Sequence, residues 1–202
     1  MKKILLLIAA FVGFTAGAQL MQGDILINGG VGLGLIGQNY KMKFPPVSLS
    51  GEYMMTDNIS AGLEGGFFGF TYNFGMNVSL PDESGETGIS QSATGDYNGI
   101  YFMGLGNYHF VNNTNLDVYA GLKLGYVILN GESNITMTTS SDDDSDANST
   151  VNMNLNTGPV SHLGYGAQVG ARYMFSDNFG AFAEVGYGIS ILKLGLTYKI
   201  GY

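Results

Sequence analysis

The chain contains no cysteine and no tryptophan, two histidines, four prolines, and eight basic residues against sixteen acidic ones among 202. Without cysteine there is no disulfide framework, no thiolate chemistry and no Cys-based metal site. With so few cations there is no basic surface for nucleic acid. Long apolar runs are also missing: the longest, residues 4–14, falls short of the roughly 18 to 20 residues that a spanning helix requires. That run follows Lys2 and Lys3 and precedes Ala16-Gly17-Ala18, the layout of a secretory signal peptide cleaved after Ala18. Residues 1–18 are therefore set apart from a mature domain over 19–202. Removing Lys2 and Lys3 takes the formal charge from -8 to -10.

What the chain does have is 32 glycines, 13 tyrosines, 12 phenylalanines and a strict alternation of apolar and polar residues. In the last segment Leu192, Leu194, Leu196, Tyr198, Ile200 and Tyr202 share one face, while Lys193, Gly195, Thr197, Lys199 and Gly201 share the other. A strand apolar on one side and cationic on the other suits lipid outside and a polar interior. Similar segments fall near residues 24–36, 47–56, 59–73, 98–110, 116–130, 161–175, 179–189 and 191–202. The expected fold is all-β: an eight-stranded antiparallel up-and-down transmembrane β-barrel of a bacterial outer membrane, with short periplasmic turns and longer extracellular loops.

A repeated turn supports this reading. Met55-Thr56-Asp57-Asn58, Phe110-Val111-Asn112-Asn113 and Phe175-Ser176-Asp177-Asn178 each lead from one strand into the next. The opposite connections are expected at 37–46, 74–97 and 131–160, with a tight turn around Gly188, Ile189 and Ser190. On the lipid parity, aromatic pairs recur eight residues apart: Phe102 with Phe110, Tyr165 with Tyr173, Phe179 with Tyr187. Tilted strands place such rings about 20 Å apart, close to the roughly 25 Å apolar band between aromatic girdles.

The other parity defines the interior: Asn28, Glu52, Glu64, Asn107, His109, Lys123, His162, Gln168, Arg172, Glu184, Lys193 and Lys199. Glu52, Glu64, Lys123, Arg172, Glu184 and Lys193 are expected to form a charge network, with Arg172 and Glu184 paired directly across the turn at Asp177. An eight-stranded barrel is only wide enough to be filled by its own side chains, and charges buried there must be paired. A packed polar core is therefore expected rather than a pore. The glycines on this face, among them Gly62, Gly66, Gly125, Gly166, Gly170 and Gly186, suit a narrow and strongly bent wall.

Catalysis finds little support in the sequence. His109 and His162 belong to opposite ends of the barrel, and Ser161 beside His162 faces the other way along a strand. A nucleophile and its base must converge within hydrogen-bond reach, so no catalytic residue is expected. The acidic run Asp142-Asp143-Asp144-Ser145-Asp146 has oxygen donors but not the glycine and terminal glutamate of an EF-hand. It reads as a solvated loop, as do Asp82, Glu83 and Glu86. No metal site and no cofactor are expected.

The signal end Ala16-Gly17-Ala18-Gln19, the strand from Tyr165 to Tyr173, the Ser176-Asp177-Asn178 turn and the final aromatic together resemble the small outer-membrane β-barrel proteins typical of Bacteroidetes, the porin-family barrels akin in architecture to OmpX and the OmpA barrel. The resemblance covers essentially all of 19–202. It implies insertion by the outer-membrane assembly machinery, with Leu194, Leu196, Tyr198, Ile200 and Tyr202 as the C-terminal assembly signal. It also implies contact with lipopolysaccharide and phospholipid and a monomeric state. No peptidoglycan-binding domain is expected after Tyr202. The expected role is non-enzymatic: a wall presenting polar loops at the cell surface for envelope integrity or surface interaction. The alternatives are a narrow porin passing small solutes or ions and, more remotely, a barrel enzyme acting on lipid or peptide.

Overall fold

The computed structural model describes residues 19–33, 40–82, 85–141 and 149–201. They form β1 (Ile25–Leu33), β2 (Tyr40–Thr56), β3 (Ile59–Asp82), β4 (Gly85–Asn112), β5 (Leu116–Ser141), β6 (Ser149–Met174), β7 (Phe179–Tyr187) and β8 (Leu192–Ile200). Each strand pairs antiparallel with its chain neighbours and β8 returns to β1, so the sheet closes into a barrel in simple sequence order. The expected signal segment 1–18, the run Asp142 to Asp146, Glu83 and Tyr202 lie outside the described residues.

The wall is uneven. β4 has 28 residues and β7 has 9, lengths of about 90 Å and about 30 Å along the strands. About 9 to 11 tilted residues suffice to cross a bilayer, so β7 fits that length while β3 to β6 rise far beyond it. This corrects the connections expected at 74–97 and 131–160. β3 and β4 pair continuously from Ile59↔Tyr108 to Asp82↔Gly85. β5 and β6 pair upward to Thr139↔Ser149 with one register shift near Gly131. β2 likewise begins at Tyr40, inside the connection expected at 37–46. The physical reason is that these Asn-, Ser- and Thr-rich stretches also alternate with period two, so they extend the ladder instead of leaving it. On the low side β7 and β8 are shorter than expected. Gly188 leaves the strand at φ +149, a conformation that side chains rarely adopt, and the chain turns over residues 188–191.

At the other end the repeated turns acquire a mechanical role. Asn58 Nδ2 donates to the His109 carbonyl at 2.9 Å, Asn115 Nδ2 to Met174 at 3.0 Å and Asn178 Nδ2 to Lys199 at 2.8 Å. Each short turn is thus tied to the strand that follows its neighbour. The stretch before β1 closes this end: Leu20 is buried with Leu26 and Met54, and its backbone is held by the Asn112 side chain at 3.1 and 2.7 Å.

Candidate functional site

The interior is built in layers. In the lower one Arg172, the largest fully buried side chain, donates to Asp117 at 2.7 Å, to Glu52 at 3.2 Å and to Thr197 at 3.1 Å. Glu52 also accepts from Asn28 at 2.6 Å, Asn107 at 2.8 Å and Ser60 at 3.0 Å. His109 lies between Asp117 at 2.6 Å and Ser60 at 3.0 Å. In the upper layer two lysines share two carboxylates. Lys193 Nζ is 2.8 Å from Glu64 and 2.7 Å from Glu184, and Lys123 Nζ is 2.6 Å from Glu64 and 3.6 Å from Glu184. Tyr101 donates to Glu64 at 3.1 Å and Tyr119 to Glu184 at 2.9 Å. Tyr119 joins the layers, since the Arg172 guanidinium lies 5.0 Å from its ring.

The structure therefore divides the expected network in two and removes its central contact. Arg172 does not pair with Glu184. The β6–β7 register sets Glu184 opposite Gly170 and Arg172 opposite Phe182, while Glu184 faces Lys193 directly across β7 and β8. Arg172 sits one inward step lower and turns to Asp117 and Glu52. Of the other residues of the expected interior, His162 is exposed at the rim, while Lys199, its side chain 12% exposed, lies 3.8 Å from Asp24 and donates to the Gln19 carbonyl at 3.4 Å. The expected assembly residues Leu194, Leu196, Tyr198 and Ile200 all point outward and are exposed. Asp117, Tyr101 and Tyr119 were missed, although Asp117 and Tyr119 share the parity of Lys123 and could have been read from it.

The inward aromatics explain the inward glycines. Tyr119 is opposite Gly170, Tyr101 opposite Gly66, Phe68 opposite Gly99 and Phe182 opposite Gly195 in the strand registers. A Cβ at any of these glycines would meet the facing ring at about 2.5 to 2.6 Å. Each ring lies across the bare backbone of the next strand, which brings its hydroxyl or face to the centre of a narrow barrel.

Ser60, His109 and Asp117 stand in the order of a nucleophile, a base and an orienting carboxylate. All three are buried, and the Ser60 hydroxyl also faces Glu52 at 3.0 Å. No substrate reaches Ser60 in this arrangement. Among the described residues no buried side-chain nitrogen or oxygen is without a hydrogen-bond partner, and none of them form a cluster of metal-binding side chains. A cavity of about 40 Å³ lies against the upper layer, beside Lys193 and the turn at residues 188–190. It has room for only a few water molecules. Above it Phe68, Tyr101, Met103 and Val127 form an apolar cluster, covered by Ile189 from that turn.

Both faces of the sheet change character at one level. Below it the outward rows are apolar, as in Leu63–Gly104–Leu124–Tyr165 and, on β3 to β5, Phe67–Ile100–Ile128, whose partner on β6 is Ser161. The aromatics Phe102, Tyr126, Tyr165 and Tyr187 are exposed near its upper margin, and Tyr108, Phe110, Tyr173 and Phe179 near its lower one. Above it the outward rows become polar: Asn98 and Asn130, then Thr71–Asp96–Glu132–Asn156 and Asn73–Thr94–Asn134–Asn154. There the Thr71 hydroxyl, with Lys43 3.7 Å away, holds the Asp96 carboxyl below the usual carboxylate range. The inward rows do the reverse. Over the charged layers lie Phe70 with Tyr97, Phe74–Ala93–Ile135–Met153 and Met76–Gln91–Met137–Val151.

No protein-family model matches the sequence, and no curated protein is significantly similar to it. Among solved structures the chain is similar to the N-terminal β-barrel domain of OprF from Pseudomonas aeruginosa, at 15% identity and a TM-score of 0.43, covering 90% of this chain and 100% of that one. It is also similar to Ail, the attachment invasion locus protein of Yersinia pestis, at 15% identity and a TM-score of 0.41, covering 89% and 100%.

Proposed function

We propose that the protein is a non-enzymatic, eight-stranded barrel of the bacterial outer membrane that holds a tall four-stranded sheet above the cell surface for interaction there. One observation carries the reading: a barrel whose outward residues are apolar and exposed in a belt edged by aromatic rings, and polar immediately above it. Leu63 is 73% exposed and Leu122 71%, values that a water-soluble barrel would not maintain around its whole circumference. In lipid the same belt is buried. The short turns with Asn58, Asn113 and Asn178 then face the periplasm, and β3 to β6 project outward. The filled layers around Arg172 and Lys193 support a closed barrel over a narrow porin, since two paired charge layers and a capped apolar cluster occupy the lumen.

The test is the depth dependence of charge. Leu122→Arg and Val169→Arg, in the middle of the belt, are expected to cost about 2 to 4 kcal/mol in a detergent-to-bilayer folding assay. Asn98→Arg, just above the belt, is expected to cost about 0 to 1 kcal/mol. Equal costs at the three positions would remove the assigned lipid face.

A further inference from the structure

The upper parts of β3 to β6 form an amphipathic sheet whose inner apolar face no other strand covers among the described residues. An apolar sheet face is ordinarily buried against a second element, yet Phe74, Met76, Met137, Val151, Met153 and Leu155 are 41 to 53% exposed. Among the described residues of these strands, the register puts no lysine, arginine or glutamate on that face above Phe68, and an aspartate at Asp82 alone, in the pair that ends β3. Four strands about 4.8 Å apart and about 12 residues tall give it roughly 750 Å², close to the roughly 800 Å² that each partner contributes to a standard protein interface. A small ligand would leave most of it bare.

We propose, building on the outer-membrane orientation above, that this face packs against the same face of a second copy held in an opposing membrane. Two such sheets facing each other about 10 Å apart make a β-sandwich. The lopsided wall decides how the copies approach. The apolar face overlooks its own low side, where β7 ends at Tyr187 and the chain turns at residues 188–191. A neighbour in the same membrane would have to place its barrel where β7, β8 and β1 already stand. A copy arriving from above meets no wall.

The experiment uses the full mature chain in phosphatidylcholine vesicles, with clustering followed by light scattering. Protein-bearing vesicles are expected to cluster with one another and not with bare vesicles. The pair Met153→Asp with Leu155→Asp should reduce clustering at least tenfold, whereas Asn154→Asp, on the opposite face of the same strand, should leave it within twofold. Equal capture of bare vesicles would overturn the proposal in favour of a lipid-binding face, and so would equal effects of the inner and outer substitutions. A single Asn154→Cys, in a protein without native cysteine, reports separately on orientation. Labelling by an impermeant maleimide together with no clustering overturns the pairing alone, whereas no labelling overturns the orientation on which it rests.

Discussion

Arg172 shows what residue-level energetics can decide. It has no solvent to lean on, and its guanidinium is divided between two carboxylates and a threonine hydroxyl. Removing one partner of such a buried group leaves the other charge uncompensated, which typically costs about 3 to 5 kcal/mol, whereas replacing both partners is milder. Arg172→Met and Asp117→Asn are therefore expected to be strongly destabilising singly and clearly less than additive together, as read by urea unfolding in vesicles. Arg172→Met with Glu184→Gln is expected to couple more weakly, because these residues meet only through Tyr119. Equal coupling in the two cycles would contradict the layering. The register alone separates the two cases: parity places Arg172 and Glu184 on the same face, but a two-residue offset across the turn at Asp177 decides that one reaches down and the other sideways.

At the scale of elements, the strands within the apolar belt were legible because their outward residues are leucine, valine and aromatics, and the last strand was legible from Leu192 to Ile200 though expected to run over 191–202. The tall portions of β3 to β6 were not. Their alternation is just as strict, but its sense is reversed, and Asn, Ser and Thr on the outward face give an average composition that reads as loop. Thr136, Asn134 and Glu132 alternate with Met137, Ile135 and Ser133 on β5, a pattern visible only when the period is counted separately from hydrophobicity. The low strands had a clearer signal in Gly188. Labelling checks the elements directly. A single cysteine at Asn134 or Asn154 is expected to react with an impermeant reagent on intact cells, and one at Asp57 or Asp177 is not. Reaction at Asp177 in unpermeabilised cells would reverse the orientation of every hairpin.

For the whole molecule the question is whether the barrel is a conduit. Its interior alternates polar and apolar floors: Leu20 with Leu26 and Met54 at the bottom, the Arg172 layer, the Lys193 layer, then Phe68, Tyr101, Met103 and Val127 under Ile189. Ions would have to displace paired charges and pass two apolar constrictions. The intact protein is expected to give no discrete conductance steps in planar bilayers, and neutralising Lys123 or Glu184 is expected to lower thermal stability before any current appears. Steps in the wild type whose ion selectivity changes with Lys123→Gln would establish a channel. The layered interior was legible in outline, as a near-balanced set of charges on one parity. The division into two floors was not, because it depends on which aromatic ring rests on which glycine across a strand pair.

In the proposed membrane orientation, the reversal of both faces would also set how deeply the barrel sits. Phe67, Ile100 and Ile128 would mark the last row suited to hydrocarbon on β3 to β5, and Asn98 and Asn130 the first that is not, while on β6 the change comes at Ser161, the partner of Ile128. Sinking by one row would carry amides into the acyl region, and rising by one would put a ring of leucines and aromatics into water. So placed, the molecule would have little freedom to follow a change in bilayer thickness by bobbing or tilting, and the cost of a mismatch would fall on the lipid, which must stretch or thin around it. In that setting the wall would act as a gauge, selecting a membrane of one thickness and holding the sheet above it at a set height.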